Sequence, residues 1–435
     1  MCHYHGDEWD DDCAESSLSG AVIHSIILKV AAPCNLDCAY CYEYNRGDDS
    51  WKARPKLIAR ATVERLAFRI KEYCRDAGLT TFRVNLHGGE PTLLGPERLA
   101  DVVSTIRDGT PGIRVEFGLQ TNATLISASL IAVFNEHEIR VGASLDGSAE
   151  ANRHRIDHQG RPTWATAVDG IRQLRDAGCL AGIQAVIDLD SPPEEVLGPL
   201  VDLGARLIEL GQPFGTYDNP PQAGAYALGA WLIEAFDLWV ADSRFARAKV
   251  QVFHDAIRAV LTERPDSEWF PGLPPGYLVV GTDGAYEGLD TLKVVGERGR
   301  VLGCGVFDTE VSRALEHDYI AARGGPAQLC EACSSCGIVS WCAGGYYPTR
   351  FGLGNGFMNP SLYCEDLRFF FIHVANWLLE QEDVGATRKE RIRERLSRLK
   401  SAAPNLRPAL AKSPKLQLTI RGKPIGQGAG RGGEG

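Results

Sequence analysis

The first half of the chain alternates between short apolar, β-branched runs and longer amphipathic stretches. Residues 22–30 read as a buried strand, and 56–77 as a helix with Leu66, Phe68 and Ile70 set among charges. The pattern then repeats. Strands are predicted over 81–86, 113–119, 139–145, 181–189 and 206–210, and helices over 96–107, 127–136, 163–176 and 194–203. Ser127 stands where an N-cap belongs, and Gly178 where a helix closes. Alternation of this regularity predicts parallel β/α units. Six fit between residues 22 and 211, short of the eight of a closed barrel.

Beyond residue 211 the rhythm stops. Residues 225–241 and 250–264 read as amphipathic helices linking two parts, and the Pro-Gly stretch 271–276 is a breaker. After it the chain is rich in Gly and Cys, with short elements. A segment so poor in core residues calls for a metal staple. The predicted organisation is therefore a lead-in over 1–20, an α/β partial (β/α)6 barrel over 21–215, and linking helices over 216–270. A Cys-rich domain over 271–380 and a basic helix with tail over 381–435 complete it.

Composition narrows the class. Of 435 residues, 44% are hydrophobic and 23% charged, ordinary for a soluble globular protein. No apolar run is long enough to span a membrane. The start lacks the basic-then-apolar order of a signal peptide, so the expected location is cytoplasmic. The net charge of −10 hides an asymmetry, because residues 387–435 hold 13 Lys and Arg against 3 Asp and Glu. A lone basic run of this kind reads as a solvated helix and tail, not a nucleic-acid site. The lead-in carries Asp7, Glu8, Asp10, Asp11, Asp12 and Glu15 with no Lys or Arg, and reads as disordered, as does the chain past Pro404.

Thirteen cysteines change the picture. In a cytosolic chain, clustered cysteines argue for metal and not for disulfides. Cys34, Cys38 and Cys41 form C-x3-C-x2-C directly after the first predicted strand. Three close thiolates suit an iron–sulfur cluster, and three ligands leave one iron of a four-iron cluster open for chemistry. Further polar groups sit at the ends of later strands: Gly88-Gly89-Glu90-Pro91, Gln120-Thr121-Asn122 and Ser144-Leu145-Asp146. In parallel β/α folds the site lies at those C-terminal strand ends. A zinc knuckle completed by His24 or His87 is the alternative, although zinc sites favour closer cysteine pairs with a distant second pair.

Cys34, Cys38 and Cys41, with Tyr40 before the last, resemble the signature of the radical S-adenosylmethionine (radical SAM) superfamily over residues 22–211. The resemblance implies a 4Fe-4S cluster on these three cysteines. Its open iron would chelate S-adenosylmethionine and release a 5′-deoxyadenosyl radical. By the same resemblance, Gly88, Gly89 and Glu90 would hold the methionine ammonium, the carboxylate of Glu90 suiting that donor. Asn122, Ser144 and Asp146 would contact the cofactor, and Arg155 would meet the methionine carboxylate.

Cys333-x2-Cys336-x5-Cys342, followed 21 residues later by Cys364, resembles the SPASM (twitch-like) extension of radical SAM peptide maturases. In the full pattern a further Cys stands where Tyr346 does, and another in the hairpin where Leu289 does; both would serve a first auxiliary cluster. The resemblance therefore implies one auxiliary 4Fe-4S cluster on Cys333, Cys336, Cys342 and Cys364. A second, altered site using Cys304 and Cys330 stays open, as does zinc at the four cysteines. Cys74 and Cys179 read as small buried hydrophobes, and Cys2 and Cys13 as ordinary.

Several further segments resemble the SPASM maturases of ribosomally made peptides, including those that form three-residue cyclophanes: 42–44, 50–55, 283–293, 344–348 and 356–364. There an aromatic ring carbon is joined to the Cβ of a nearby residue. The implied partners are a precursor peptide, a reductant such as flavodoxin or ferredoxin, and a separate leader-recognition protein, since about 20 residues before the first strand are too few for a winged-helix domain. Asp290, at the family's hairpin Asp, is the candidate base that takes the ring proton, with Glu287 and Asp283 behind it. The alternatives are a maturase oxidising Ser or Cys to formylglycine, a different peptide crosslink or epimerisation, and a non-catalytic metal-stapled scaffold. Leu289 and Tyr346 count against the first of these, and the intact Cys34, Cys38 and Cys41 against the last.

Overall fold

Six strands follow the predicted order: β1 (Ser25–Ala31), β2 (Thr81–Gly88), β3 (Arg114–Thr121), β4 (Arg140–Ser144), β5 (Leu180–Val186) and β6 (Leu207–Gly211). The helices are α1 (Arg60–Ala77), α2 (Pro96–Gly109), α3 (Ala128–Glu136), α4 (Trp164–Asp176), α5 (Pro193–Asp202) and α6 (Ala227–Ala241). Each strand pairs in parallel with the next, which is the α/β partial barrel. The computed structural model describes residues 22–402 apart from 222, 223, 225, 274, 275, 297–300 and 317–327. The acidic lead-in and the chain past Pro404 lie outside the described residues. Among those described, no helix is long and apolar enough to cross a membrane.

Local sequence explains the elements. In α1 the buried side chains Val63, Leu66, Ile70 and Cys74 recur three to four residues apart, so one stripe faces the sheet. Gly78, at φ 69°, closes the helix in the left-handed conformation. Ser127 caps α3, its hydroxyl accepting from Leu130 N at 3.3 Å.

Along β2 and β3, Phe82, Val84, Leu86, Val115, Phe117 and Leu119 are buried in the core they share with α1 and α2. The alternate residues Arg83, Asn85, His87, Glu116 and Gln120 stay half-buried. A closed parallel barrel buries both faces of its strands; this one keeps its inner face polar. Neighbouring strands make room for that face: a Cβ on Gly142 would collide with the Gln120 side chain. Gln120 Nε2 instead reaches Ser144 Oγ at 2.8 Å.

The sheet does not end at the predicted breaker. β7 (Lys249–Val250) pairs with β6 and precedes α7 (Gln251–Thr262), and β8 (Tyr277–Val280) pairs in parallel with β1. β9 (Ala285–Glu287) and β10 (Val301–Gly305) then add antiparallel strands, giving the order β10-β9-β8-β1-β2-β3-β4-β5-β6-β7. α6 and α7 pack into the core as well: Phe236 meets Phe253 and Phe370 with ring centroids 5.5 and 6.1 Å apart. Phe370 belongs to the helix Cys364–Glu380. One core thus runs from β5 and β6 through α6 and α7 to that helix, and a second lies under β1–β4.

Candidate active site

Cys34, Cys38 and Cys41 lie half-buried on the loop that leaves β1. Asp37 N and Ala39 N donate to the Ile156 and His154 carbonyls at 2.8 and 3.1 Å. Asn45 Nδ2 donates to Cys38 O and Asp37 Oδ1, both at 2.9 Å, and His158 Nε2 lies 2.9 Å from Cys34 O. Cys34 Sγ accepts from Leu36 N at 3.4 Å and from Asn122 Nδ2 at 3.8 Å. Burial, then the charge of Glu90, pushes the Cys34 thiol up to about 12. Burial, then Cys38, takes Cys41 to about 11, and burial raises Cys38 as well. Thiols whose ionisation is opposed in this way become joint ligands when a positive centre compensates them, and iron is such a centre.

The Gly88-Gly89 turn packs against the root of that loop. Gly89 N donates to Ala31 O at 2.9 Å and Glu90 N to Pro33 O at 3.0 Å. Gly88 has φ 143°, and a Cβ there would strike Ala31 O; one on Gly89 would strike the Tyr44 hydroxyl and Pro33 O. Glu90 does not present a free carboxylate. It is 1% exposed and accepts from Thr92 N at 3.1 Å, from Thr92 Oγ1 and Thr121 Oγ1 at 2.7 Å each, and from Asn122 N at 2.8 Å. Three of these donors share Oε1 and one reaches Oε2. Glu90 thereby fastens the turn to the end of β3.

Asn122 and Asp146 are equally engaged. Asn122 Nδ2 donates to Asn35 Oδ1 at 2.9 Å, and its Oδ1 accepts from Thr124 N at 3.0 Å. Asp146 accepts from Arg155 in a fork at 3.0 and 3.2 Å, from Val186 N at 2.9 Å, and from the Tyr40 hydroxyl. Arg155, expected at a methionine carboxylate, is therefore paired inside the protein, and its guanidinium lies 5.6 Å from the Tyr40 ring centroid. The pair holds Tyr40, and with it the spacing between Cys38 and Cys41. Ser144 takes its bond from Gln120.

Behind the cysteine loop lies a buried ionic cluster that the sequence reading did not assemble. Lys29 Nζ donates to Glu43 Oε2 at 2.8 Å and lies 3.7 Å from Glu287. Lys293 also pairs with Glu43, and Arg54 with Glu287 and Asp283. Burial opposes every charge here. Lys29 and Lys293 outweigh that opposition at Glu43, holding its carboxyl down at about 2, while Glu43, Glu287 and Asp290 keep the Lys29 ammonium above its ordinary range. Beside the cluster, the Tyr42 hydroxyl donates to Asp290 Oδ2 at 2.6 Å. Asp290 is 7% exposed, so the candidate base is tied to the residue next to Cys41. The other two hairpin carboxylates, Glu287 and Asp283, are committed to Arg54. The missed signal was Lys29, a cation inside an otherwise apolar strand.

The second cysteine set sits apart. Cys333, Cys336, Cys342 and Cys364 line one cavity of about 40 Å³ with Ile338, Val339 and Leu367. Burial pushes Cys333 up to about 12 and Cys364 to about 11, and raises Cys342 further. Cys330 lies beside Cys333, its carbonyl accepting from Cys333 N at 3.0 Å. Cys304 is elsewhere, on β10, against Tyr286 and Thr309. Antiparallel pairing with β9 places it on the edge strand of the sheet. Leu289 and Tyr346 are both 5% exposed, and the Tyr346 hydroxyl donates to Thr291 Oγ1 at 2.5 Å. Among the described residues, no three His, Cys, Asp or Glu side chains converge as a single metal ion requires; a cluster of four irons takes its thiolates further apart.

The profile of the radical SAM superfamily matches residues 29–196. The cysteine-type anaerobic sulfatase-maturating enzyme of Clostridium novyi is 23% identical over 372 residues, covering 80% of this chain and 94% of that protein. The structure of anSMEcpe with bound AdoMet superposes with a TM-score of 0.71 at 20% identity, over 81% of this chain and 96% of that one. That of Streptococcus suis SuiB bound to its precursor peptide SuiA gives 0.54 at 15% identity, over 79% and 76%. The superfamily works with a 4Fe-4S cluster and S-adenosylmethionine. The matched stretch includes the cysteine loop, the Gly-Gly turn and the strand ends described above, and the chain therefore carries a radical SAM domain over residues 29–196.

Proposed function

We propose that this radical SAM enzyme matures a peptide by oxidising it at a side-chain Cβ and joining that carbon to a nearby aromatic ring. When bound, the cluster and S-adenosylmethionine supply a radical that removes the Cβ hydrogen, and the second cluster supplies an acceptor for one electron. Cys34, Cys38 and Cys41 would hold the first, and Cys333, Cys336, Cys342 and Cys364 the second. Glu90 and the Arg155–Asp146 pair keep that loop and the Gly-Gly turn in register. Asp290 takes the proton lost when the ring regains aromaticity, and Tyr42 orients its carboxylate. The balance is one hydrogen atom, one electron and one proton, so the product is lighter by two hydrogens.

The observation that carries this reading is the 2.6 Å bond from Tyr42 to Asp290, which sets a buried carboxylate beside the radical-generating loop. A second reading has one supporting observation. The similarity to sulfatase-maturating enzymes extends over 80% of the chain, and these enzymes are described as acting on Cys or Ser; Asp290 would serve the same proton transfer there. The test is anaerobic reconstitution with S-adenosylmethionine, dithionite and a set of short peptides in which an aromatic residue stands two positions from a Lys, Arg, Asn, Ser or Cys. A product two hydrogens lighter, whose fragments carry a bond between ring and Cβ, supports the crosslink. An aldehyde at a single Ser or Cys supports the second reading. Absence of 5′-deoxyadenosine refutes both.

A further inference from the structure

We infer that Phe214 is a positioning residue for the proposed base: its ring holds Tyr42 against Asp290, and Tyr363 ties the backbone beside that ring to the second cysteine set. This rests on the peptide-maturase reading and adds what keeps the base aligned. Tyr42 directly follows Cys41, and its hydroxyl donates to Asp290 Oδ2 at 2.6 Å. Asp290 Oδ1 accepts from Thr291 N, its own neighbour, at 2.8 Å, so Tyr42 is the long-range partner that sets the carboxylate. One hydrogen bond fixes the hydroxyl of a tyrosine but not the tilt of its ring. Phe214 meets that ring edge to face, with centroids 5.3 Å apart and planes at 71°, an arrangement aromatic pairs favour.

The place of Phe214 in the fold suits this task. It is 9% exposed yet belongs to neither of the two cores. Its ring is buried against Tyr42 and not against the helices that cover the sheet. It stands three residues past the end of β6, where the chain has neither helix nor strand. A stretch of that kind takes its position from the groups its backbone bonds.

Those groups lie on both sides. Toward the barrel, Leu210 O accepts from Trp269 Nε1 at 2.7 Å and Gly211 O from Ile187 N at 2.8 Å. Beyond Gln212 the partners come from the stretch that leads to Cys364. Pro213 O accepts from the Tyr363 hydroxyl at 2.8 Å. Tyr217 N donates to Phe351 O at 2.9 Å and its hydroxyl to Pro360 O at 3.1 Å, while Asp218 Oδ2 accepts from Leu353 N at 2.8 Å. Tyr363 is 6% exposed, packs in the core of α6 and α7, and directly precedes Cys364. A continuous run of contacts therefore leads from Cys364 through Tyr363, Pro213, Phe214 and Tyr42 to Asp290. A small displacement of Phe214 lets the Tyr42 hydroxyl leave the carboxylate, and misplacement of a reacting group is steeply penalised.

The full chain, with both cysteine sites reconstituted anaerobically, tests this in Phe214→Leu, Phe214→Tyr and Tyr363→Phe. The measurements are oxidised peptide formed per 5′-deoxyadenosine and amide hydrogen exchange by mass spectrometry. Phe214→Leu is expected to lower the product ratio about tenfold, with 5′-deoxyadenosine formation and the KM for peptide within about twofold of wild type. Phe214→Tyr keeps the ring and restores the ratio to within about twofold of wild type. Tyr363→Phe, which loses one hydroxyl, lowers it about threefold. In a Tyr42→Phe background, where the hydroxyl is already gone, Phe214→Leu lowers the ratio no further. Exchange over residues 42–45 and 290–293 quickens about tenfold in Phe214→Leu, while β2 and β3 keep theirs. An equal fall in 5′-deoxyadenosine and product, no rescue by Phe214→Tyr, or unchanged exchange over those residues overturns the inference. The two readings fail separately. Quickened exchange with no oxidised peptide even from wild type removes the maturase and leaves Phe214 holding Tyr42; a normal product ratio in Phe214→Leu removes the positioning role and leaves the maturase.

Discussion

The two cysteine sites are built on opposite plans. Cys34, Cys38 and Cys41 share one loop, and their surroundings are polar: Asn35, Asn122, and the Asp146–Arg155 pair with Tyr40. Cys333, Cys336, Cys342 and Cys364 come from two stretches of chain, and Ile338, Val339 and Leu367 wall them in. Three thiols holding a four-iron cluster would leave a metal position to a small ligand, and the polar groups keep the loop in shape. Four thiols would complete the coordination of theirs, which suits a centre that passes electrons or holds structure. On the proposed reading, the first site makes the radical and the second collects the electron left over.

Removing one ligand from each site separates these roles most sharply. Cys38→Ala is expected to abolish 5′-deoxyadenosine formation, read by chromatography, because the open iron goes with the cluster. Cys342→Ala is expected to retain 5′-deoxyadenosine while losing the oxidised peptide. If both variants lose 5′-deoxyadenosine, the second site is structural for the first and the division fails. Asp290→Asn keeps size and accepts the Tyr42 bond but cannot take a proton. Product formation should fall about 10²–10⁴-fold, the range of a lost general base, with hydrogen abstraction from the peptide still visible as 5′-deoxyadenosine.

The ionic cluster belongs to the first site alone and offers a test of that asymmetry. Glu43→Gln leaves Lys29 and Lys293 buried without their shared carboxylate. Breaking a buried pair from one side costs about 3–5 kcal/mol, to be read from urea unfolding at neutral pH. Product formation should suffer with it, since Lys293 is on the hairpin of Asp290, while the iron bound by the second cysteine set should not change.

Acid should act on the other half. His254 on α7 lies against Trp239, ring centroids 5.2 Å apart, and burial followed by Lys249 holds its pKa down at about 4. A histidine lowered on folding gives stability that is complete above its unfolded value near 6.5 and fades as pH falls toward its folded value. Between pH 6.5 and 4 the wild type should lose about 1–3 kcal/mol that His254→Gln does not lose, measured as the shift in thermal midpoint. That loss falls on the core behind the second cysteine set, where α6, α7 and the helix Cys364–Glu380 meet.

How far the sequence carries differs between the same two regions. The β/α rhythm and the cysteine spacing are local signals, so six strands and the cysteine loop were legible within a few residues. The partners of Glu90 and Arg155 were not, because a carboxylate motif does not say which donors will reach it. Thr121 and Asn122, which donate to Glu90, lie at the C-terminal end of β3. The breaker at 271–276 was legible as a turn, but not as the point where the chain crosses back to pair β8 with β1. Tyr42–Asp290 spans 248 residues, and no spacing rule reaches that far.

The smallest expected effect asks whether the second site is closed by the four cysteines named or by a different four. Cys330 stands next to Cys333, and their side chains are within hydrogen-bond reach. A fifth thiol beside a complete four-thiolate centre adds no coordination. It sits at the N-cap of the short helix Glu331–Ser334, where its backbone carbonyl, not its sulfur, takes the bonds from Cys333 N and Ser334 N. Serine keeps that carbonyl and the cap. Cys330→Ser should therefore leave iron content and the cluster absorbance near 400 nm unchanged within about 10%, and shift stability by less than about 0.5 kcal/mol. If the absorbance of the second site collapses while Cys336→Ser leaves it intact, Cys330 is the ligand and Cys336 the spare. The contrast between an open three-thiol site and a closed four-thiol site would then survive with one of its residues exchanged.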